Sequence, residues 1–325
     1  MGINKSCFTR LTEAAGLNAI EIDHVSKTFG AVKAVNDLSL DVPEGTVYGF
    51  IGPNGSGKTT TLRMIMNIFY PDTGSIKVFG RTVDTTTAAD IGYLPEERGL
   101  YKRMKVRDIL RFYGELKSGR NVNSEVDLWL ERLGLADWAT SKVDALSKGM
   151  SQKVQFISAV VAKPRLLIMD EPFTGLDPVN ADLIRNTVLD LRKNGTSVIL
   201  STHDMSVAET MCDFIFMIFK GNKVLDGTLA EIQDRYGRDT LRLSCEGGAG
   251  ALSGLDGVDK LNDFGRIQEL RVKSGRDPQE VLAAAMARTR ITSFEITKPS
   301  LHDIFVRIAG PEAEETGDAQ NPKNS

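Results

Sequence analysis

At 325 residues, with 41% hydrophobic and 26% charged side chains, the chain has the make-up of a folded globular protein of about two domains, which excludes disorder as its dominant state. Its 40 Lys plus Arg against 43 Asp plus Glu leave a net charge of −3 and no general basic field, so no nucleic-acid partner is expected. The cysteines Cys7, Cys212 and Cys245 lack C-x-x-C spacing and read as free thiols of a reducing cytoplasm rather than as a metal or redox site. Residues 1–18 carry only weak helical patterning and form an N-terminal extension. From Ala19 short apolar runs alternate with helical patterns: Ala19–Val25, Val35–Val42 and then Thr46–Ile51, which leads directly into a glycine-rich loop and a helix.

That loop, Gly52, Pro53, Asn54, Gly55, Ser56, Gly57, Lys58 and Thr59, with Thr60 next, matches G-x-x-x-x-G-K-[ST] in the strand-to-helix setting the pattern requires. Its glycines let backbone N–H groups turn inward around phosphates, and the helix adds its positive N-terminal dipole. Lys58 is then placed for β- and γ-phosphates and Thr59 for Mg2+. Further on, ALSKGMSQ (Ala145 to Gln152) looks like a second phosphate-binding turn with two departures and no partner beside it. The continuous apolar runs Arg165–Met169 and Ser197–Leu200 suit strands covered on both faces, as in a parallel sheet, and ligands collect at the carboxyl ends of such strands. The first is followed by Asp170, a candidate for the Mg2+ shell, and Glu171, a candidate base for a water in line with the γ-phosphate. The second is followed by Ser201, Thr202 and His203; a lone histidine is more often structural, but this one falls at the same sheet edge as Asp170. Phe214–Phe219 (FIFMIF) is the most apolar run and far too short to span a bilayer.

Beyond Tyr236 the pattern changes to strand 240–245, a short helix near 249–255, strands 257–262 and 267–273, helix 278–288 and strand 291–297. This βαββαβ order belongs to a small α+β ferredoxin-like domain. An amphipathic helix, Leu301–Ile308, and a Pro/Glu/Gly/Asn tail over 310–325 that reads as disordered close the chain.

Over residues 19–235 these motifs resemble the ATP-binding subunit of an ABC transporter. The resemblance implies an α/β P-loop NTPase cassette with an antiparallel β subdomain and a helical subdomain, followed by the ferredoxin-like domain at 236–309. It makes Gly52–Thr59 the Walker A loop, Leu166–Glu171 the Walker B segment, Gly175-Leu176-Asp177 the D-loop, and His203 the switch histidine. Phe29, in Lys-Thr-Phe-Gly, becomes the aromatic residue that stacks on adenine, the alternative being a core phenylalanine. ALSKGMSQ becomes the signature motif, so Ser147 and Gly149 are expected to contact ATP held by a facing cassette, as homodimer or heterodimer, with ATP and Mg2+ as cofactors.

Lys148 and Met150 depart from the usual signature and leave either a weakened site or a subfamily variant. Glu96 stands where the family places a glutamine; it is still an oxygen ligand for Mg2+ but adds negative charge near the γ-phosphate. With Thr297-Lys-Pro-Ser-Leu-His-Asp-Ile-Phe-Val-Arg307, these variants resemble the sodium-export (Nat-type) branch. The resemblance implies an energy-coupling ATPase peripheral on the cytoplasmic face of the cell membrane, driving a separately encoded integral permease, an exporter. A soluble cassette acting on ribosomes or DNA, and a regulatory cassette with little turnover, are the alternatives.

Overall fold

The computed structural model describes residues 17–310 except 98, 238 and 274. Cys7, nearly all of the expected N-terminal extension and nearly all of the expected tail lie outside the described residues. The described residues fall into two compact units divided between Asp226 and Gly227.

The first unit opens with a long antiparallel hairpin, β1 (Asn18–Phe29) and β2 (Val32–Pro43), followed by β3 (Val47–Ile51) and helix α1 (Lys58–Ile65). Short strands β4 (Thr73–Val78) and β5 (Arg81–Thr82) complete an antiparallel sheet in the order β2-β1-β4-β5. Then come β6 (Ile91–Leu94), α2 (Val106–Ser118), α3 (Asn123–Arg132), α4 (Lys148–Val160) and β7 (Leu166–Asp170). The unit closes with α5 (Pro178–Lys193), β8 (Ser197–Thr202), α6 (Met205–Met211), β9 (Phe214–Phe219) and β10 (Asn222–Gly227). Strands β9, β3, β8, β7 and β6 lie in that order, each parallel to its neighbour, with β10 at the edge beyond β9.

The unbroken apolar runs of the central strands follow from period-two alternation between two different cores. Tyr48, Phe50, Leu166, Ile168 and Ile199 pack with the inner residues of β1 and β2. Their neighbours Val47, Leu167, Met169, Val198 and Leu200 turn the other way, onto α2, α3, α4 and α5. Both faces being covered, every residue of β3, β7 and β8 is buried, and each large apolar side chain contributes roughly 1.5–3 kcal/mol by leaving water. FIFMIF, the most apolar run, is β9 of this sheet, and no helix among the described residues is long and apolar enough to cross a membrane.

The second unit starts with α7 (Leu229–Tyr236), whose residues fall almost entirely within the 19–235 segment read from the sequence as the cassette. A reciprocal cap between Thr228 and Glu231 starts this helix, and its contacts run onward in the chain: Gln233 Nε2 donates to the Pro299 carbonyl at 3.0 Å and Asp234 pairs with Lys298 at 2.5 Å. Next come β11 (Thr240–Cys245), α8 (Gly248–Leu252), β12 (Val258–Asp263), β13 (Gln268–Val272), α9 (Pro278–Arg288), β14 (Ile291–Thr297) and α10 (Leu301–Ala309). The sheet order β12-β13-β11-β14, with all three pairings antiparallel, is the ferredoxin-like arrangement expected from the element order. Leu241, Leu243, Leu270 and Val272 bury one face of it against Leu252, Val281, Leu282 and Ala285 of α8 and α9.

Candidate phosphate-binding site

The loop between β3 and α1 needs glycine at two places for steric reasons. Gly52 has φ 150°, and a Cβ there would lie 2.2 Å from the Ile218 carbonyl of β9. Gly57 has φ 116°, and its Cβ would lie 2.4 Å from the Ala34 carbonyl of β2. The turn is therefore pressed onto two neighbouring strands, with the unpaired N–H groups of the first turn of α1 behind it.

Lys58 opens α1 and is buried, its Nζ donating to the carbonyls of Gly52 at 2.5 Å and Pro53 at 3.1 Å. Burial holds its pKa below the usual lysine value, and the nearby carboxylates of Glu171, Asp170 and Glu96 push it partly back. Ser56 Oγ is buried in the same turn without a hydrogen-bond partner. Such an atom is costly unless satisfied, and a phosphate oxygen would satisfy it, so the loop fits a phosphate ligand.

A cavity of about 330 Å³ opens over this loop. Its walls include Gly55, Ser56, Lys58, Thr59, Thr60 and, from the ends of β6 and β7, Glu96, Asp170 and Glu171. Asp170 is fixed by two hydroxyl donors, Ser201 Oγ at 2.8 Å and Thr59 Oγ1 at 3.3 Å. Glu171 turns sharply off the strand with φ 49°, a strained conformation for a residue with a side chain, stabilised by its N–H donating to the Ser201 carbonyl at 2.9 Å. Its carboxylate accepts from the His203 N–H at 2.8 Å and from Thr202 Oγ1 at 3.2 Å. His203 Nδ1 lies 2.8 Å from the same Oε1; because a carboxylate only accepts, the imidazole proton belongs on Nδ1. Burial, with help from Asp170, pushes the Tyr93 hydroxyl on the neighbouring strand up to about 12.

Among the described residues no group of three or more His, Cys, Asp or Glu side chains could hold a metal by itself. Thr59, Asp170 and Glu96 instead offer a few hard oxygen donors on one cavity wall. That suits Mg2+, which is held by one or two carboxylates, water and substrate phosphates rather than by a protein cage.

Ser147, Gly149 and Asp177 do not line this cavity; they form a second group on the same unit. Ser147 caps α4, its hydroxyl accepting from the Met150 N–H at 3.3 Å. Asp177 caps α5, accepting from the Asn180 N–H at 3.0 Å. The two caps face each other: a Cβ on Gly149 would meet Asn180 Nδ2 at 3.1 Å and Asp177 Oδ2 at 3.9 Å. The Lys148 ammonium lies against Gly175 of the D-loop, and Gln152 Nε2 donates to the Thr174 carbonyl at 3.0 Å. Phe29 is not a core residue. It is 43% exposed at the end of β1, edge-on to Phe69 with 5.3 Å between ring centroids, and paired with Val32, which does line the cavity.

Sequence reasoning missed several participants. Ser201 and Thr202, which orient the two carboxylates, stood beside His203 and could have been read from that adjacency. Val32, Lys33, Ala34, Lys220 and Gly221 reach the cavity from β2 and the β9–β10 turn, and nothing in their local sequence signals it.

The ABC transporter family profile matches residues 35–174, and that of the ATP-binding protein DrrA1-3-like C-terminal domain matches 227–309. The chain is 42% identical to the uncharacterized ABC transporter ATP-binding protein YhaQ of Bacillus subtilis, over 90% of this chain and 98% of that protein. It is 32% identical to the Nod factor export ATP-binding protein I of a Rhizobium species, over 91% and 98%. Among solved structures, an ATP-binding subunit of an ABC transporter superposes with a TM-score of 0.63 at 29% identity, covering 67% of this chain and 93% of that one.

Proposed function

Because the chain belongs to the family of ABC transporter ATP-binding subunits, ATPases that work with membrane permease components, we propose that it energises a separately encoded exporter by closing and opening a cassette dimer around ATP. The observation that carries this reading is the separation of the two phosphate-binding elements. The loop at Gly52–Thr60 has a cavity with carboxylates and a base, whereas the capped turn at Ser147 contributes nothing to that cavity. A helix N-terminus with a serine cap favours an anion, and the anion it meets in this reading is the γ-phosphate bound by a facing cassette.

Within one cavity the chain's own groups divide the work. Lys58, Ser56 and the loop N–H groups hold the β- and γ-phosphates. Thr59, Asp170 and Glu96 would hold Mg2+, which would supply positive charge to the phosphate oxygens. Glu171 accepts a proton from the attacking water as its oxygen bonds to the γ-phosphorus and the bond to the leaving ADP oxygen breaks. His203, 56% exposed and not itself in the cavity wall, is tied to Glu171 and orients the base. Phe29 supplies an aromatic face for adenine. Hydrolysis removes the group that the facing Ser147 turn binds, so the closed dimer loses its differential contacts and reopens.

Export as direction draws on the Nod factor export relative, and sodium as cargo on the resemblance of Glu96, Lys148, Met150 and the closing Pro-Ser-Leu-His-Asp-Ile-Phe segment. A groove of about 510 Å³ between β6, α2 and α4, lined by Tyr93, Pro95, Leu100, Tyr113 and Leu116, offers the permease an apolar surface at the cytoplasmic face of the membrane. Affinity purification from solubilised membranes tests the whole reading: an integral membrane protein is recovered with the chain, and ATP turnover rises in its presence. Recovery of ribosomes or DNA with no integral protein would overturn it.

A further inference from the structure

We propose that Gln155 is a positioning residue that clamps Glu96 into the wall of the phosphate cavity and ties it to the helix capped by Ser147. Gln155 lies on α4 and is 5% exposed, so its amide cannot fall back on water and must be paired within the protein. Its Nε2 donates to the carbonyl of Pro95 at 3.3 Å and to that of Glu97 at 3.0 Å. The two acceptors bracket Glu96. Both hydrogens of the amide are thereby committed to one short loop.

The clamp has a stiff lever behind it. Ser147 and Gln155 are separated by two turns of one helix, about 12 Å along its axis. That helix abuts β6 without a side chain between them, since a Cβ on Gly92 would lie 2.3 Å from the Ala159 carbonyl. A displacement at the Ser147 end is carried to the Glu96 loop rather than absorbed. Pro95 and Gln155 also line the groove between β6, α2 and α4, while Glu96 lines the phosphate cavity, so the clamped segment is the partition between the two. An occupant of the groove and a ligand at the Ser147 turn therefore act on the same carboxylate, by way of the same amide. The consequence for turnover rests on the reading of the cavity as the ATP site; the clamp itself does not.

The test uses the full chain with Gln155→Met, which keeps the volume but donates nothing, and Gln155→Glu, which sets carboxylate oxygens against two carbonyls. Hydrogen exchange without nucleotide reads the clamp directly. In Gln155→Met, amides 96–100 exchange about tenfold faster, the loss expected for two modest hydrogen bonds, those of β6 and α4 keep their rates, and Gln155→Glu opens the loop further. Steady-state ATPase reads the consequence: Gln155→Met lowers kcat about tenfold with KM for ATP unchanged, and adding it to Glu96→Ala lowers kcat no further. Wild-type exchange in Gln155→Met, or full additivity with Glu96→Ala, overturns the proposal. Faster loop exchange combined with wild-type turnover in Glu96→Ala supports the clamp and strikes the role given to Glu96 instead.

Discussion

Lys58 and Glu171 set the phosphate cavity's chemistry in different ways, and their substitutions separate binding from turnover. Lys58 is buried beside three carboxylates that oppose the lowering of its pKa by burial, and it is placed on the loop that fits phosphate. Lys58→Ala removes a charge-assisted hydrogen-bond donor and weakens ATP binding about 10- to 100-fold, measured with a fluorescent ATP analogue. Glu171→Gln keeps the shape and leaves the phosphate contacts intact; it binds ATP but turns over about 10²- to 10⁴-fold more slowly, the usual range for loss of a general base. Unchanged kinetics in either variant would remove that residue from the site. Lys58, Thr59, Asp170 and Glu171 could be proposed from the sequence because each sits at a fixed offset from a strand end, and they line one cavity. Their partners Ser201 and Thr202 stand beside His203 in the sequence, and the pairing of β7 with β8, Asp170 opposite Ser201, shows which carboxylates they orient.

At the scale of elements, helix starts carry much of the specification. Ser147, Asp177 and Asp277 cap α4, α5 and α9, and each is followed by the donor its side chain needs. One contact joins elements that no local pattern connects. Near the start of α3, Glu125 accepts from Arg120 at 2.7 Å and pairs with Lys163, beyond the end of α4, at 3.1 Å. These partners, Arg120 first, hold the Glu125 carboxyl down to about 2 from its ordinary value of 4.5. A carboxylate with a depressed folded pKa contributes stability that is present above the unfolded value and lost as pH falls through the folded one. The expected outcome is that Glu125→Gln is less stable than wild type at neutral pH, and that the difference shrinks between about pH 4.5 and about 2 in acid unfolding followed by circular dichroism. A difference independent of pH across that window would assign Glu125 a packing role instead.

For the whole molecule, one cassette holds a phosphate cavity and, elsewhere on the same unit, a capped turn aimed at no ligand of its own. Mixed dimers test whether that turn acts in trans. One subunit with Lys58→Ala and the other with Ser147→Arg retain one composite site free of both substitutions, and turnover survives. If the mixture is as inactive as a dimer carrying both substitutions on each chain, phosphate is read within a single subunit. The sheet order of the second unit is the ferredoxin-like one expected from its element order.

The sequence by itself determined the parallel-sheet cassette and the ferredoxin-like order of the second unit, and it supplied the residues proposed here for the phosphate loop and its carboxylates. These are encoded by short-range signals: glycine spacing, strand-end acids, caps and period-two or period-3.6 patterning. Only the tertiary structure decided that α7 packs with the second unit, that Phe29 is exposed beside the cavity and not in a core, and that Gln155 braces Glu96. Each of these depends on which distant segments meet across a sheet or along a helix. Contacts between residues 60 or more positions apart, such as Gln155 with Pro95, leave no mark in the local pattern of either segment.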